Sequence, residues 1–183
     1  QIYLYENDVK TTESLINTRA TFEITNSLKF SLMGGLQRYN QIAGVYYYRN
    51  ALAPVIGGTR DLSGEANRSA QQNLDRTLEA VVSYDKRIGE DHQLNAVGGY
   101  SYQDFTAEGF GAGNRNFISD AFTYNNLNAG TALGAGLYRD NDIWSNKRSS
   151  KLIAFFARAI YSYKDRYMLT AGFRREGSSK FGT

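Results

Sequence analysis

Few residues of this chain have the types and spacing that catalytic chemistry requires. His92 is the only histidine among the 183 residues, and it lies beside Glu90 and Asp91. A general base needs an orienting partner and a pocket, and a histidine in such a charged stretch is more often a solvated turn residue. Cysteine is absent, which excludes disulfides and thiolate metal sites within these residues. We therefore predict no catalytic site and no enzymatic activity.

The only candidate for a bound ion is a short acidic run. Asp140, Asn141 and Asp142 carry the oxygen ligands that calcium prefers. The run lacks the glycine and the distal glutamate of a calcium-binding loop. Two glycine-rich runs, 109–113 and 134–136, lack the strand-to-helix context of a phosphate-binding loop. We predict no cofactor, with calcium in this stretch as the minor alternative.

The dominant pattern of the chain is an alternation of apolar and polar residues, which indicates β-strands. Near the start, Ala20, Phe22 and Ile24 alternate with Arg19 and Glu23. The same alternation returns along five further stretches: 28–36, 74–85, 94–102, 153–163 and 167–174. Tyrosine and phenylalanine, which favour pleated surfaces, number 14 and 10 against a single proline. The sequence predicts an all-β chain of about six long strands.

These strands pair into three antiparallel hairpins, at about 15–38, 73–105 and 151–176. A tilted membrane strand needs about 9–11 residues, whereas a strand of a soluble protein has about 5–6; the alternation here persists over the longer range. Short turns around Asn26, Gly89 and Asp165 separate the strands of each hairpin. Long polar connections follow at about 39–72, 106–150 and 177–183. This asymmetry is typical of outer-membrane barrels, whose extracellular loops are the long ones.

The predicted fold class is therefore a membrane-spanning antiparallel β-barrel, of which the chain forms part. Six strands do not close a transport-sized barrel, and open sheet edges are not tolerated in lipid, so we expect a larger barrel. No apolar run reaches the about 20 residues of a membrane helix. The mean hydropathy of −0.49 fits a wall with one polar face. The alternative is a surface adhesin or a soluble β-sandwich, in which the apolar face would cover a second sheet.

The alternation assigns roles to charged and tyrosine side chains of the wall. An arginine that faces lipid at the membrane centre costs about 2–4 kcal/mol, so we expect the charges of the polar face to look into the lumen, where they pair or line a substrate path. The candidate lumen-facing residues are Arg19, Glu23, Lys29, Asp75, Glu79, Arg158 and Arg174. Tyrosines near the ends of the apolar stretches predict an interfacial aromatic girdle: Tyr84, Tyr102, Tyr161, Tyr163 and Tyr167.

Aromatic side chains in the long connections are the candidates for contact with a substrate or a partner protein. Their rings and polar tips suit sugars and peptides, and tyrosine is enriched at protein contacts. The candidates are Tyr46, Tyr47, Tyr48, Phe117, Phe122, Tyr124, Tyr138 and Trp144. The net charge is only +3 and no long basic run occurs, so we expect no binding of nucleic acid.

The stretch 161–182, YSYKDRYMLTAGFRREGSSKFG, resembles a segment typical of the SusC/RagA family of TonB-dependent outer-membrane transporters of Bacteroidota. In that family a strand ending in Tyr-x-Tyr-Lys-Asp-Arg-Tyr is followed by a second strand and by Arg-Asp-Gly-Ser-Ser-Arg-Phe-Gly. Glu176 stands here for the family's aspartate and Lys180 for its second arginine. Stretches 94–102, 108–110, 124–127 and 130–131 have similar counterparts in the same order, so the resemblance covers most of residues 15–183.

The resemblance implies a partial chain, 1–183, from the middle of a barrel of about 22 strands. It places the protein in the outer membrane of a Gram-negative bacterium, surrounded by lipid. The plug domain, the segment that contacts TonB and the C-terminal strand would lie outside these residues. The implied function is uptake of oligosaccharides or peptides together with a SusD-like surface lipoprotein, driven through TonB and without chemistry on the substrate.

Overall fold

The computed structural model describes residues 4–50, 54–55, 58–59 and 63–180. Two single-turn 3₁₀ helices, Thr123–Asn125 and Leu127–Ala129, lie in one connection. No helix among the described residues has the length and apolar character needed to span a membrane. The strands in chain order are β1 (Tyr5–Thr25), β2 (Leu28–Tyr47), β3 (Pro54–Val55), β4 (Gly58–Thr59), β5 (Glu65–Ile88), β6 (His92–Arg115), β7 (Ile143–Tyr163) and β8 (Tyr167–Ser178).

The six long strands form one antiparallel sheet in the order β1-β2-β5-β6-β7-β8. Long strands that follow one another along the chain therefore lie side by side in the sheet. The short strands β3 and β4 pair only with each other, within the connection between β2 and β5. This arrangement confirms the predicted all-β fold and its six long strands.

The three short turns lie where the sequence predicts them. Gly89 has a φ of +67°, a left-handed conformation that glycine adopts without a Cβ penalty. Lys164 and Asp165 have φ values of 53° and 50°, and the N–H of Arg166 donates to the carbonyl of Tyr163 at 3.1 Å. Positive φ at both central residues is the type I′ geometry, whose twist matches that of a hairpin.

The strands extend well beyond the predicted hairpin bounds of about 15–38, 73–105 and 151–176. β2 continues to Tyr47 and β5 begins at Glu65, while β6 continues to Arg115 and β7 begins at Ile143. The predicted loops 39–72 and 106–150 thus contract to 48–64 and 116–142, a correction to their bounds. Apolar and polar residues alternate along a strand only where one face of the sheet is apolar and the other is polar. Where both faces are polar, or both are covered, the strand continues without this pattern. Residues 51–53, 56–57, 60–62 and 181–183 of the predicted loops, with Phe181 and Gly182 of the family-like stretch, lie outside the described residues.

The chain divides into two compact units that share strands. One unit comprises 14–38, 74–106 and 149–183 and is a simple sheet. In it Phe22 stacks on Phe30 with ring centroids 6.4 Å apart, and Ala157 lies opposite Phe173 in the register of β7 and β8. Large apolar side chains of this face are exposed, with Leu169 at 69% and Phe173 at 64%. We call this unit the wall.

The other unit comprises 1–13, 39–73 and 107–148 and contains the connection 116–142. Its buried cluster consists of Tyr46, Ala66 and Phe117, one residue each from β2, β5 and the connection. Tyr48, Tyr124, Leu127 and Ala129 pack around it. The connection is therefore a packed element rather than a free loop, and we call this unit the loop unit.

Candidate functional site: the loop unit and the wall

The centre of the loop unit is an aromatic cluster. Tyr46 is fully buried and Phe117 is 2% exposed, and their rings meet edge to face at 5.3 Å. Gly64, at a φ of +79°, lets the chain approach closely, because a Cβ there would lie 2.8 Å from the Tyr46 hydroxyl. Tyr46 and Phe117 were predicted as contact residues for a substrate or partner; the structure corrects this to a packing role, since both are enclosed by their own chain.

Asp120 ties the connection to the end of β2. Its Oδ1 accepts hydrogen bonds from the Tyr46 hydroxyl at 2.8 Å and from the backbone N–H of Arg49 at 3.1 Å. The Arg49 guanidinium donates to the carbonyl of Ile118 at 2.6 Å. These bonds satisfy the phenol of the buried Tyr46, as a buried polar group requires, and they fix the first turn of the connection.

A buried ion pair closes the other end of the connection. Arg115 Nη1 donates to Asp142 Oδ1 at 2.5 Å, with the two side chains 7% and 11% exposed. Arg115 Nη2 donates to the carbonyl of Leu137, and Asp142 Oδ2 accepts the N–H of Arg139 at 2.7 Å. Burial alone would raise the pKa of Asp142, but the hydrogen bonds from Arg115 and Arg139 outweigh it and hold that pKa below its ordinary value.

The same contacts bear on the calcium alternative for 140–142. Both carboxylate oxygens of Asp142 already accept hydrogen bonds from the protein, Oδ1 from Arg115 and Oδ2 from the N–H of Arg139. Among the described residues, no cluster of three or more His, Cys, Asp or Glu side chains has a placement suited to a metal ion. The calcium alternative for 140–142 therefore stays a prediction.

Asn114 holds the middle of the connection, and the sequence reasoning did not single it out. Its Nδ2 donates to the carbonyls of Leu127 and Gly130 at 2.8 and 2.7 Å, and its Oδ1 accepts the N–H of Leu133 at 3.1 Å. One amide therefore satisfies three backbone groups of an irregular segment. The signal in the sequence was slight: a polar pair, Asn114 and Arg115, directly after a glycine-rich run.

Trp144 packs against glycines of β6 and forms one side of an apolar pocket. A Cβ on Gly111 would lie 2.5 Å from Trp144 Nε1, and one on Gly109 would lie 3.4 Å from the ring. The pocket has a volume of about 550 Å³. Its main lining residues are Ile42, Phe110, Leu127, Ile143 and Trp144, with Arg68 at the polar edge. The structure therefore places Trp144, one of the predicted contact residues, at a cavity.

The remaining predicted contact residues have mixed environments. Tyr47 stacks on Tyr5 at 5.9 Å, and Tyr48 meets Tyr46 edge to face at 5.4 Å. Tyr124 is packed beside Gly44 and donates to Asp8 at 3.4 Å; burial and this carboxylate raise the pKa of its phenol. Phe122 and Tyr138 are 52% and 69% exposed. Only these last two are freely available for contact.

The predicted lumen-facing charges lie on the polar face of the wall and partly pair there. Lys29 bonds Glu23 at 2.7 Å, Arg19 donates to the sulfur of Met33 at 3.4 Å, and Asp75 accepts from Gln103 at 2.7 Å. Arg174 pairs with Glu176, and Arg158 lies opposite Gly172 in the sheet. Glu79 lies on β5 in the same alternation as Asp75. The structure does not gather the seven into one site, and their orientation toward a lumen stays a prediction.

Four of the five predicted girdle tyrosines lie near the turn end of the wall. His92 Nδ1 and the Tyr161 hydroxyl are 2.5 Å apart, the His92 and Tyr163 rings are 5.0 Å apart, and Tyr163 lies opposite Tyr167. His92, which the sequence predicts as a solvated turn residue, is the first residue of β6 and contacts these tyrosine rings. Tyr84 lies at the corresponding end of β5, whereas Tyr102 lies toward the far end of the apolar stretch of β6.

The chain is similar in sequence to TonB-dependent receptors. No family model matches the chain. It is 30% identical over 165 residues to TonB-dependent receptor P3 of Formosa agariphila, covering 90% of this chain and 15% of that protein. It is 33% identical over 103 residues to TonB-dependent receptor P26 of the same organism, covering 56% of this chain and 10% of that protein. The chain therefore spans less than a fifth of the length of the curated relatives it matches.

Solved structures of the RagAB peptide importer have the same fold over this segment. In its closed-closed state the TM-score is 0.83 at 20% identity, covering 98% of this chain and 19% of that chain. In its open-open state the TM-score is 0.80 at 19% identity, covering 97% of this chain and 18% of that chain. The sequence relatives and the fold agree with the resemblance of 161–182. The chain is thus a barrel segment of a TonB-dependent receptor of the SusC/RagA type.

Proposed function

We propose that the intact protein imports an oligomeric nutrient, an oligosaccharide or a peptide, across the outer membrane. A SusD-like surface lipoprotein would present the nutrient, and TonB would supply the energy through parts of the protein outside this segment. The observation that carries the proposal is the match of 90% of the chain to a TonB-dependent receptor. RagAB is a peptide importer, which makes a peptide one of the two substrate classes to test here.

The wall supports the membrane location that import requires. Its apolar face exposes Leu169 and Phe173 at 69% and 64%, and a water-soluble protein rarely leaves a large contiguous face of this kind uncovered. In the proposed orientation, the short turns of the wall lie at the periplasmic side of the membrane. The polar face of the same strands then looks into the lumen, which fits the pairing of Glu23 with Lys29 there.

The orientation of the wall is tested with two single-cysteine variants of neighbouring residues on β8. The segment has no cysteine of its own, so in the intact protein only cysteines outside it need replacing. Spin-labelled Leu169→Cys should collide with oxygen dissolved in lipid, and Thr170→Cys should collide with a water-soluble paramagnetic reagent. Equal accessibility of both labels to the water-soluble reagent would contradict a membrane wall and would favour a soluble sandwich or adhesin.

Import itself is tested in cells of the source bacterium with the gene deleted and restored. Cells that carry the intact protein should take up labelled oligosaccharides or labelled peptides, and uptake should stop when TonB is depleted. A difference between the two substrate classes identifies the cargo. Uptake that persists without the gene, or without TonB, would contradict the proposal.

A further inference from the structure

The apolar face of the wall contains a groove whose shape differs from the rest of that face. It has a volume of about 800 Å³, within the range of small-ligand sites of about 300–1,000 Å³. Its floor consists of small residues from three neighbouring strands: Ala96, Gly98, Ala157, Ala159 and Ala171. Where larger side chains would fill the space, alanine and glycine leave a furrow across β6, β7 and β8.

Aromatic rings form the sides of this groove. Tyr100 and Phe155 lie at one end with ring centroids 5.2 Å apart, and Phe173 rises beside the floor, directly opposite Ala157. Phe155 and Phe173 are 55% and 64% exposed, so their ring faces are available to a long, thin apolar ligand. A lipid acyl chain has this shape.

Two cationic side chains, Arg175 and Lys151, lie beyond the aromatic end of the groove. Arg175 lies directly opposite Phe155 in the sheet and is next but one to Phe173 along β8. Lys151 lies on β7 four residues before Phe155, so the alternation places it on the same face. Its carbonyl accepts a hydrogen bond from the N–H of Ser179 at 3.0 Å. Neither cation forms an ion pair with any residue of the described ranges. In the proposed orientation, both lie toward the cell exterior.

The nearby carboxylates are already engaged by other residues. Glu176, next to Arg175, pairs with Arg174 on the opposite face of the sheet. Asp104 pairs with Arg76 at 3.4 Å. The positive charge of Arg175 and Lys151 is therefore not neutralised by these neighbours, and a guanidinium recognises a phosphate through two parallel hydrogen bonds.

We propose that the groove binds one phosphate-bearing lipid of the outer leaflet, with an acyl chain on the small-residue floor and a phosphate at Arg175 and Lys151. Bulk acyl chains are as apolar as the groove, so selectivity comes from packing and from the phosphate rather than from the hydrophobic effect. The inference rests on the proposed outer-membrane location, and it adds a specific lipid to the importer.

The test uses the intact protein, extracted from outer membranes in mild detergent and examined by native mass spectrometry for co-purified lipid. Wild-type protein should retain one lipid whose fragments contain phosphate. Arg175→Gln should lower the retained fraction about fivefold, the contribution expected of one cation near an anionic membrane surface. Gly98→Leu should abolish retention by filling the groove, since the nearest atom to a Cβ there is a carbonyl oxygen at a comfortable 3.7 Å.

Matched variants on the same wall act as controls. Gly34→Leu adds the same side chain on β2, where a Cβ has nothing within 4 Å, and Gly34 does not line the groove. Arg166→Gln removes a charge at the turn end of the same hairpin. Both should retain the lipid. No lipid on the wild type, a retained lipid without phosphate, or equal retention in all variants would overturn the inference.

Membrane fractionation and nutrient uptake are measured on the same cells, which separates the two proposals. A protein that lies in the outer membrane and retains the lipid but imports nothing contradicts only the proposed function. A protein that imports its nutrient but retains no lipid contradicts only the lipid site. The fragment masses identify which phosphate-bearing lipid is bound.

Discussion

The ion pair between Arg115 and Asp142 should decide whether the connection 116–142 stays folded. Its side chains are 7% and 11% exposed, and Arg115 also donates to the carbonyl of Leu137. Asp142→Ala leaves the guanidinium buried without its partner, which costs about 3–5 kcal/mol in comparable pairs. Because the connection packs on strands that are held by their own ladder, we expect local opening of 116–142 rather than loss of the sheet.

Hydrogen exchange of the intact protein measures this opening. An opening cost lowered by about 3 kcal/mol accelerates exchange more than a hundredfold at amides protected only by the folded connection. Reporter amides are those of Leu137 and Ala135, which donate to Ala132 and Thr131 at 2.9 and 3.0 Å. Amides of the hairpin between β7 and β8 provide the internal reference and should not change.

Two further variants separate a buried pair from an exposed one. Arg115→Met with Asp142→Leu removes both charges and should restore most of the protection, since an apolar replacement of a buried pair is often neutral or stabilising. Glu108→Gln breaks the pair with Lys147, whose side chains are 45% and 69% exposed, and should cost less than about 1 kcal/mol. Unchanged exchange in Asp142→Ala, or an equal effect in Glu108→Gln, would refute the reasoning.

The pH dependence of the same contact has a definite sign. The pKa of Asp142 is lowered in the folded protein from an ordinary value of 3.8, so the folded state favours the ionised carboxylate. The stabilisation is fully present above about pH 4 and is lost as the pH falls through the lower folded value. Protection of Leu137 should therefore persist to about pH 4 and decline below it, whereas protection in Asp142→Ala should lack this step.

Three other substitutions test the packing described above. Tyr46→Phe removes the hydrogen bond to Asp120 and should destabilise the connection by about 1 kcal/mol, read as faster proteolysis near residue 120; an unchanged rate would contradict that role. Gly44→Leu should displace Tyr124, because a Cβ on residue 44 would lie 2.4 Å from the Tyr124 ring. The region around Tyr124 should then become cleavable by protease, whereas Gly34→Leu should leave that region resistant. Gly89→Ala places a Cβ at a φ of +67° and should lower the free energy of unfolding of the wall, measured in urea, by about 1–2 kcal/mol. Gly177→Ala, with open space around residue 177, should leave that free energy unchanged. Equal unfolding midpoints for the two variants would contradict the proposed turn geometry.

The wall was predictable because its information is local. Alternation in 18–36, 74–102 and 153–174 specifies one apolar face, and a one-residue slip would turn every side chain to the wrong side. The glycine at residue 89 and the pair 164–165 specify where the chain reverses. Tyr161, Tyr163 and Tyr167 were placed at the turn end from their positions alone, and the register of β7 and β8 brings Tyr163 opposite Tyr167.

The loop unit was not predictable from such patterns because its contacts join distant residues. Tyr46 and Asp120 are 74 positions apart, and Arg139 and Glu65 are also 74 positions apart. An aromatic residue in a polar stretch has the same local signature whether it is buried or exposed. This explains why Tyr46 and Phe117 were grouped with Phe122 and Tyr138, although only the last two are exposed.

The sequence by itself determined the class of the protein: strands with one apolar and one polar face, short turns at one end, and the family stretch 161–182. Only the tertiary structure decided which polar residues hold the connection 116–142, where Trp144 forms a pocket, and that small residues of β6, β7 and β8 line up as a groove. The physical reason is that the residues of a strand determine by themselves which face of the sheet each side chain takes. A cavity or a buried ion pair, in contrast, exists only once several strands and their connection have packed.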